Sequence, residues 1–441
     1  MPSLSKALQL VQNMGWRYVS FRALHEAKVR TGVFKKNFPQ DPAFQKFISL
    51  DEWKKQDAQF FINGRKDFTS KGLSSELERN FENLKQGHLS FFSSLSYYLG
   101  KDYDWVTNPD SGFKYNAQNH WTHINDYSQE AGDIKFVWEK SRFSFLYTII
   151  RYDAHTGEDN SEWVWREILS WIQANPVNSG PNYKCSQEIS LRVLNWTFAL
   201  HFYKDAPSLT EEIFQKVIHT IYWQLDHVYK NIDFSRIAVR NNHAITETLA
   251  LYLGSLLYPF FPEASLWKVE GKKWFEEEIT YQIYPDGTFL QFSMNYHRVV
   301  VQLLTWVIRL AELNKEGFST VVYERAQKSL EFLLSCMNLE DGWLPNYGAN
   351  DGALFFKLND ADYRDYRPQL EALSNTLGIE WKYSKNEDAL WYGFDTSGRT
   401  SGKTTKAKEG LSSFETGGYY IYRQPNTLSF IRCGNHKDRP S

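Results

Sequence analysis

Residues Asn241–Ala264 read NNHAITETLALYLGSLLYPFFPEA. After a polar opening, apolar side chains recur every three or four positions from Ala244 to Leu257, the period of an α-helix. The longest apolar run of the chain, Ala250 to Phe261, is interrupted by Gly254 and Pro259 and is too short to span a bilayer. The same period predicts helices over Val137–Thr156, Ser161–Ala174, Gln187–Tyr203, Leu209–Val228, Leu266–Tyr284, Tyr296–Leu313, Val321–Met337 and Arg367–Leu377. Consecutive helices with short connections bury themselves as hairpins, stacked in an arc or closed into a ring. No internal repeat is strong enough for a repeat array, and the loops are rich in polar and aromatic residues. An α/α toroid therefore fits better than an open solenoid.

Working outward, residues 1–95 read as an N-terminal helical extension. GWRYVSFRALHEAKVR forms a helix ending at Gly32, and a second helix runs from Ser75 to Leu99, stopped by Gly100. Residues 96–380 carry the toroid. The stretch GFDTSGRTSGKTTKAKEG lacks periodicity and makes 381–410 a linker. From 411 to 441, GGYYIYR, a turn at Gln424–Asn426 and TLSFIRCG form an antiparallel hairpin, the only convincing β segment. Two strands do not make a stable sheet, so this hairpin is expected to open a larger β domain that is incomplete here.

Of 441 residues, 50 are basic and 52 acidic, a balance that argues against a general nucleic-acid or membrane-surface binder. Hydrophobic residues make up 42%, enough for a folded core. The unusual feature is 16 Trp, 26 Tyr and 31 Phe. Flat rings stack on sugar C–H faces and also fill large cores, and composition alone leaves both roles open. Cys185, Cys336 and Cys433 show neither a disulfide framework nor zinc spacing. His120-x-x-His123 has ligand-like spacing without Cys or carboxylate partners, so no metal site is assigned. The N-terminus lacks an uninterrupted apolar core and a small-residue cleavage site, which reads as a cytoplasmic chain.

Two stretches carry chemistry. RNNHAITE (Arg240–Glu247) and YPDGTFLQFSMNYHR (Tyr284–Arg298) each place amides, a histidine and charges at a helix N-terminus, where backbone N–H groups favour an anion. Taken singly, Asn242 also suits a helix cap, His243 a satisfied core position, and Pro285-Asp286-Gly287 a simple turn.

DIKFVWEKSRFSFL (Asp133–Leu146), GPNYKCSQEISLRVLNW (Gly180–Trp196), NNHAITETLALYLGSLLYPFFPEA, EEEITYQIYPDGTFLQFSMNYHR (Glu276–Arg298) and LPNYGANDGALF (Leu344–Phe355) occur in order over most of the chain. In these stretches it resembles the heparinase II/III family of polysaccharide lyases. The resemblance implies a mainly α protein, an α/α toroid followed by the first strands of a truncated β-sandwich. It implies β-elimination on a uronic-acid-containing polysaccharide, a bacterial enzyme of glycosaminoglycan, alginate or exopolysaccharide degradation, and periplasmic or secreted action. Such a site must neutralise the C5 carboxylate, remove the C5 proton and protonate the leaving O4. By resemblance, Asn242 and His243 grip the carboxylate and Tyr296 is the general base and acid where proton and leaving group lie on the same face; otherwise a histidine takes the base role. A phenol titrates near pH ~10, so nearby positive charge such as Arg240 or Arg298 is expected to lower it for the base role.

The family also draws a histidine or tyrosine from its β domain. His436 is the nearby candidate, and this chain alone is expected to be weakly active or inactive. A structural metal belongs, if anywhere, to that missing domain, and no cofactor is expected.

Glu139 with Arg142 and Glu188 with Arg192 share helix faces and serve either as intrahelical ion pairs or as substrate contacts. Glu247, four residues after His243, is placed to orient its imidazole. Arg240, Asn295, His297 and Trp138 complete the substrate-binding set. Trp196, Trp306 and Tyr183 are further stacking platforms or core rings. The expected partner is an acidic polysaccharide, with no nucleic acid and no membrane; the oligomeric state stays open. Two other readings remain: a glycoside hydrolase using two of Asp286, Asp351 and Glu247 about 5–10 Å apart, and a non-catalytic carbohydrate-binding protein.

Overall fold

The helices predicted from apolar period form two rows. The computed structural model describes residues 11–12, 15–68, 72–381, 387–394, 403–404 and 409–434. The main helices are α1 (Trp16–Arg30), α2 (Ser75–Lys85), α3 (Lys135–Ser141), α4 (Leu146–Thr156), α5 (Ser161–Ala174), α6 (Ser186–Phe202), α7 (Glu211–Asp233), α8 (Asn242–Leu257), α9 (Ala264–Gln282), α10 (Met294–Leu313), α11 (Thr320–Cys336) and α12 (Arg367–Thr376). Each of α6 to α9 packs on its successor or predecessor, and alternate helices also touch: α4 meets α6, α6 meets α8, α8 meets α10, and α10 meets α12. The other row contains the contacts α5–α7 and α9–α11. The result is an inner row walled by an outer row.

This layering explains the composition. Inner helices are covered on all sides, so every residue of α6 is buried, and every residue of α8 except His243. Trp105, Trp165, Trp171, Trp196, Trp267, Trp306 and Trp391 are fully buried. Most of the aromatic excess therefore fills the core, and Trp196, Trp306 and Tyr183 are core rings rather than stacking platforms. Helices α8 and α9 approach closely at Gly271, where a Cβ would stand 2.8 Å from the Tyr252 nitrogen.

Four expectations change. The predicted helix Val137–Thr156 is two helices, because Phe143 turns into the left-handed region at φ 65° with its ring buried. The helix expected over Ser75–Leu99 ends at Lys85. Gly87, at φ 91°, turns the chain into an antiparallel hairpin of β1 (His88–Phe91) and β2 (Leu95–Tyr98). The C-terminal hairpin gains a third strand: β3 (Gly410–Phe414), β4 (Tyr419–Gln424) and β5 (Thr427–Arg432) form one antiparallel sheet with β4 central. Tyr419 and Ile421 turn inward, and Phe332 of α11 meets the Phe414 and Tyr419 rings at 4.9 and 5.1 Å. Finally, the stretch read as linker contains the short helix Asp388–Trp391, with Trp391 in the core. Among the described residues, no helix is long and apolar enough to cross a membrane.

Candidate functional site

Three inner helices, α6, α8 and α10, turn their N-terminal ends toward one pocket. The chain enters α8 through a π-helical turn, Phe234–Val239, and through Arg240 in the left-handed region. Asn241 is the cap: its Oδ1 accepts from the His243 N–H at 2.9 Å. With capping done by Asn241, the Asn242 side chain lines the pocket beside His243. The entry of α10 is built alike. Ser293 Oγ accepts from the Tyr296 N–H at 3.1 Å and donates to the Ala349 carbonyl at 2.5 Å. That second bond ties the loop Pro345–Ala353 to the start of α10. The β1–β2 turn clamps the loop from the other side, with Ser93 Oγ donating to the Gly352 carbonyl at 2.8 Å. Gly352, at φ 76°, lies so close to Phe92 that a Cβ would overlap the Phe92 carbonyl oxygen.

These constraints bring Tyr296 Oη to 2.8 Å from Asp351 Oδ2, to which it donates. Lys135 Nζ stands 3.5 Å from the same carboxylate oxygen. Burial and the Asp351 charge push the Tyr296 phenol well above its usual range, against a smaller pull from Arg142. This reverses the expectation of a lowered tyrosine. Arg298 points into its own cluster, donating to the Tyr363 carbonyl and the Asn295 Oδ1, and Arg240 lies over the Tyr281 ring at 3.3 Å. His243 is half-buried, and desolvation lowers it to about 4, so its imidazole is neutral at pH 7. Its Nδ1 faces the Cys185 sulfur at 3.8 Å.

One wall is a buried charge triad. Arg142 makes a two-pronged contact to Glu188, 2.9 and 2.8 Å, and reaches Glu139 at 3.1 Å. Burial raises the Glu139 carboxyl, and the two carboxylates hold the arginine firmly charged. Trp138 closes the wall with its indole N–H bound to the Pro181 carbonyl at 2.8 Å. The pocket, about 70 Å³, thus gathers Trp138, Glu139, Arg142, Glu188, Asn242, His243 and Tyr296 from the sequence prediction.

The rest of the predicted set lies elsewhere. Arg192 does not pair with Glu188. It is fully buried, donates to Gln224 Oε1 at 2.7 Å and lies over Trp171. His297 packs against Phe289 and Phe332, and Asn295 accepts from Arg298 and Tyr363. Glu247 opens into a neighbouring cavity and does not orient His243. Of the three carboxylates named for hydrolysis, only Asp351 lines the pocket. Asp286 instead accepts from the Thr416 and Gly417 N–H groups and anchors the sheet. His120 bonds Thr122 and the Phe38 carbonyl, and among the described residues no cluster of three potential ligands could hold a metal. Gln187, Lys135 and Phe92 line the pocket without having been singled out.

A model of the heparinase II/III N-terminal region matches residues 33–381. The chain belongs to the heparinase II/III family. Two relatives within reach of this family assignment are named heparin-sulfate lyase. One, from Bacteroides thetaiotaomicron, is 26% identical over 36% of this chain and 23% of its own length. The other, from Pedobacter heparinus, is 22% identical over 49% of this chain and 33% of its own. Among solved structures, one of heparinase III superposes with a TM-score of 0.57 at 17% identity, covering 87% of this chain and 56% of that one. A mutant of heparan sulfate lyase HepC from Pedobacter heparinus gives 0.51 at 15%, covering 98% and 58%. The chain thus spans a little over half the length of these heparinase structures, and its helical body is their α/α toroid. His436, the heparinase-type candidate for a second base, lies outside the described residues.

Proposed function

We propose that the chain carries the catalytic toroid of a polysaccharide lyase that cleaves a uronic-acid-containing, glycosaminoglycan-type polysaccharide by β-elimination. The observation that carries this reading is the convergence of Asn242, His243 and Tyr296 from two adjacent helix N-termini on one pocket, with Asp351 bound to the tyrosine hydroxyl. The heparin-sulfate lyases among its relatives support the substrate class.

Asn242 and the neutral His243 are N–H donors in a desolvated setting, where hydrogen bonds to a carboxylate are strong. They hold the C5 carboxylate and delocalise the charge that develops when the C5 proton leaves. Arg142 has its donors engaged by Glu139 and Glu188, so it acts by fixing the wall and by its field. Tyr296 rests as a phenol. As its oxygen takes the C5 proton, its own proton moves along the 2.8 Å bond to Asp351. The phenol then protonates O4 as the C4–O4 bond breaks and Asp351 returns the proton it held. One proton moves from C5 to O4 in sum, and no metal or cofactor takes part.

The test is absorbance in the unsaturated-uronate band. The protein is mixed with heparan sulfate, its desulfated form, alginate and a bacterial exopolysaccharide, beside Tyr296→Phe. A rise that the variant abolishes supports the lyase. New reducing ends without absorbance would establish hydrolysis instead. Binding with neither product would make the toroid a carbohydrate-binding module.

A further inference from the structure

The reaction pocket has an adjoining cavity that the mechanism leaves unused. It holds roughly 360 Å³ and shares Trp138 and His243 with the pocket. Its far wall is the π-helical turn before α8, and its near wall is α1, through Arg22, His25 and Val29. Helix α1 ends at Arg30, outside residues 33–381 that match the family.

The charges in this cavity are arranged unlike those of the pocket. In the pocket, Arg142 is held by two carboxylates and Lys135 faces Asp351. In the cavity, Lys184 is half-buried, with Nζ 5.9 Å above the Trp121 ring, and Arg22 stands 5.4 Å over Phe234. Among the described residues neither cation lies within salt-bridge range of a carboxylate. Glu26, on the same helix as Arg22, is paired with Arg30, and Asp126 stays beyond 4.0 Å of Lys184. Burial pushes the Glu247 carboxyl up to about 8, so at neutral pH it adds no charge. Ser235 hydrogen-bonds the Glu247 carboxyl, but the carboxyl Oε2 is buried without a hydrogen-bond partner, and the His25 Nε2 is in the same condition. A cation drawn from water onto aromatic rings gains most from an anion, and a buried carboxyl oxygen without a partner from a hydroxyl.

We infer that this α1-walled cavity is a binding subsite for the sugar residue next to the cleaved unit, with Lys184 and Arg22 holding an anionic substituent of that residue and Glu247 bonding one of its hydroxyls. The inference rests on the lyase reading for its substrate. Carboxylate and sulfate are both anions of the right kind, and the experiment separates them.

Binding of heparan sulfate tetrasaccharides and of their desulfated counterparts is measured by calorimetry on the full chain, in a Tyr296→Phe background. Lys184→Met and Arg22→Ala are each expected to weaken binding about tenfold, with Lys184→Arg restoring most of it. Arg22 is exposed on α1, so its loss leaves the fold intact. If the Lys184→Met effect vanishes on the desulfated probe, the bound group is a sulfate; if it persists, a carboxylate. Unchanged binding in both Lys184→Met and Arg22→Ala overturns the subsite. Elimination is followed separately on the Tyr296-containing protein. Absorbance without an effect of Lys184 would sink the subsite and spare the lyase, whereas Lys184-dependent binding without absorbance would do the reverse.

Discussion

The Tyr296 pocket and the cavity beside it share two side chains, yet they handle charge in opposite ways. In the pocket every cation is matched: Arg142 lies between Glu139 and Glu188, and Lys135 faces Asp351. In the cavity Lys184 and Arg22 sit over aromatic rings. Paired charges fix geometry, because each side chain is held in one place by directional bonds. Unpaired cations attract an anionic ligand. On the proposed reading, the difference teaches that positioning the reaction and holding an acidic polymer are separable tasks, taken by adjoining walls.

The comparison is broken most sharply at Tyr296. On the proposed mechanism Tyr296→Phe removes the proton-transfer atom, and it is expected to lower kcat by about a thousandfold or more while leaving oligosaccharide affinity within a few fold. Steady-state rates beside calorimetric binding check both halves. A variant with a tenth of the original rate would move the chemistry away from the pocket. Next comes the triad. Glu188→Gln leaves Arg142 with one carboxylate in a buried wall and should cost about 3 kcal/mol, read from urea midpoints. Lys184→Met, which breaks no pair, should leave the midpoint almost unchanged; equal losses would erase the contrast.

Protonation sharpens it further. Burial raises Glu247 from 4.5 to about 8. Below pH 4.5 the carboxyl is protonated both folded and unfolded, so it has no effect. Between 4.5 and 8 only the unfolded chain releases the proton, so stability declines as pH rises and levels off above 8. Glu247→Gln should remove that decline, a difference of a few kcal/mol between pH 5 and pH 9 in denaturation experiments. The smallest effect concerns His243. Its lowered value of about 4 keeps the imidazole neutral through mildly acid conditions. The acid limb of kcat/KM should therefore fall toward pH 4, not near pH 6.5; a limb at the ordinary histidine value would show that water reaches the ring in the free protein.

Much of the architecture was legible in the sequence. Apolar period located α5, α6, α8 and α10 to within about two residues, because a helix buried on one side or all around must repeat its apolar positions. The breaks were not legible. Phe143 adopts a left-handed backbone that no local signal announces, and the hairpin after Gly87 lay inside a stretch that reads as helix. The site divided in the same manner. Glu139–Arg142 and Glu188–Arg192 look alike in sequence, a carboxylate and an arginine one helical turn apart. Packing kept the first pair together and sent Arg192 to Gln224, leaving Glu188 to bridge two helices through Arg142. Asp351 was named only for hydrolysis, since nothing local shows that a loop after residue 345 returns to the start of α10.

What the sequence by itself determined is the helical body and the polar helix entries at Asn242–His243 and Tyr296, since both follow from spacing and capping within one turn. What only the tertiary structure decided is the company each side chain keeps. A distance such as Tyr296 to Asp351, or the burial of one carboxyl oxygen of Glu247 without a partner, depends on segments far apart in the chain. Their meeting is set by core packing and backbone turns that carry no signature of the chemistry they create.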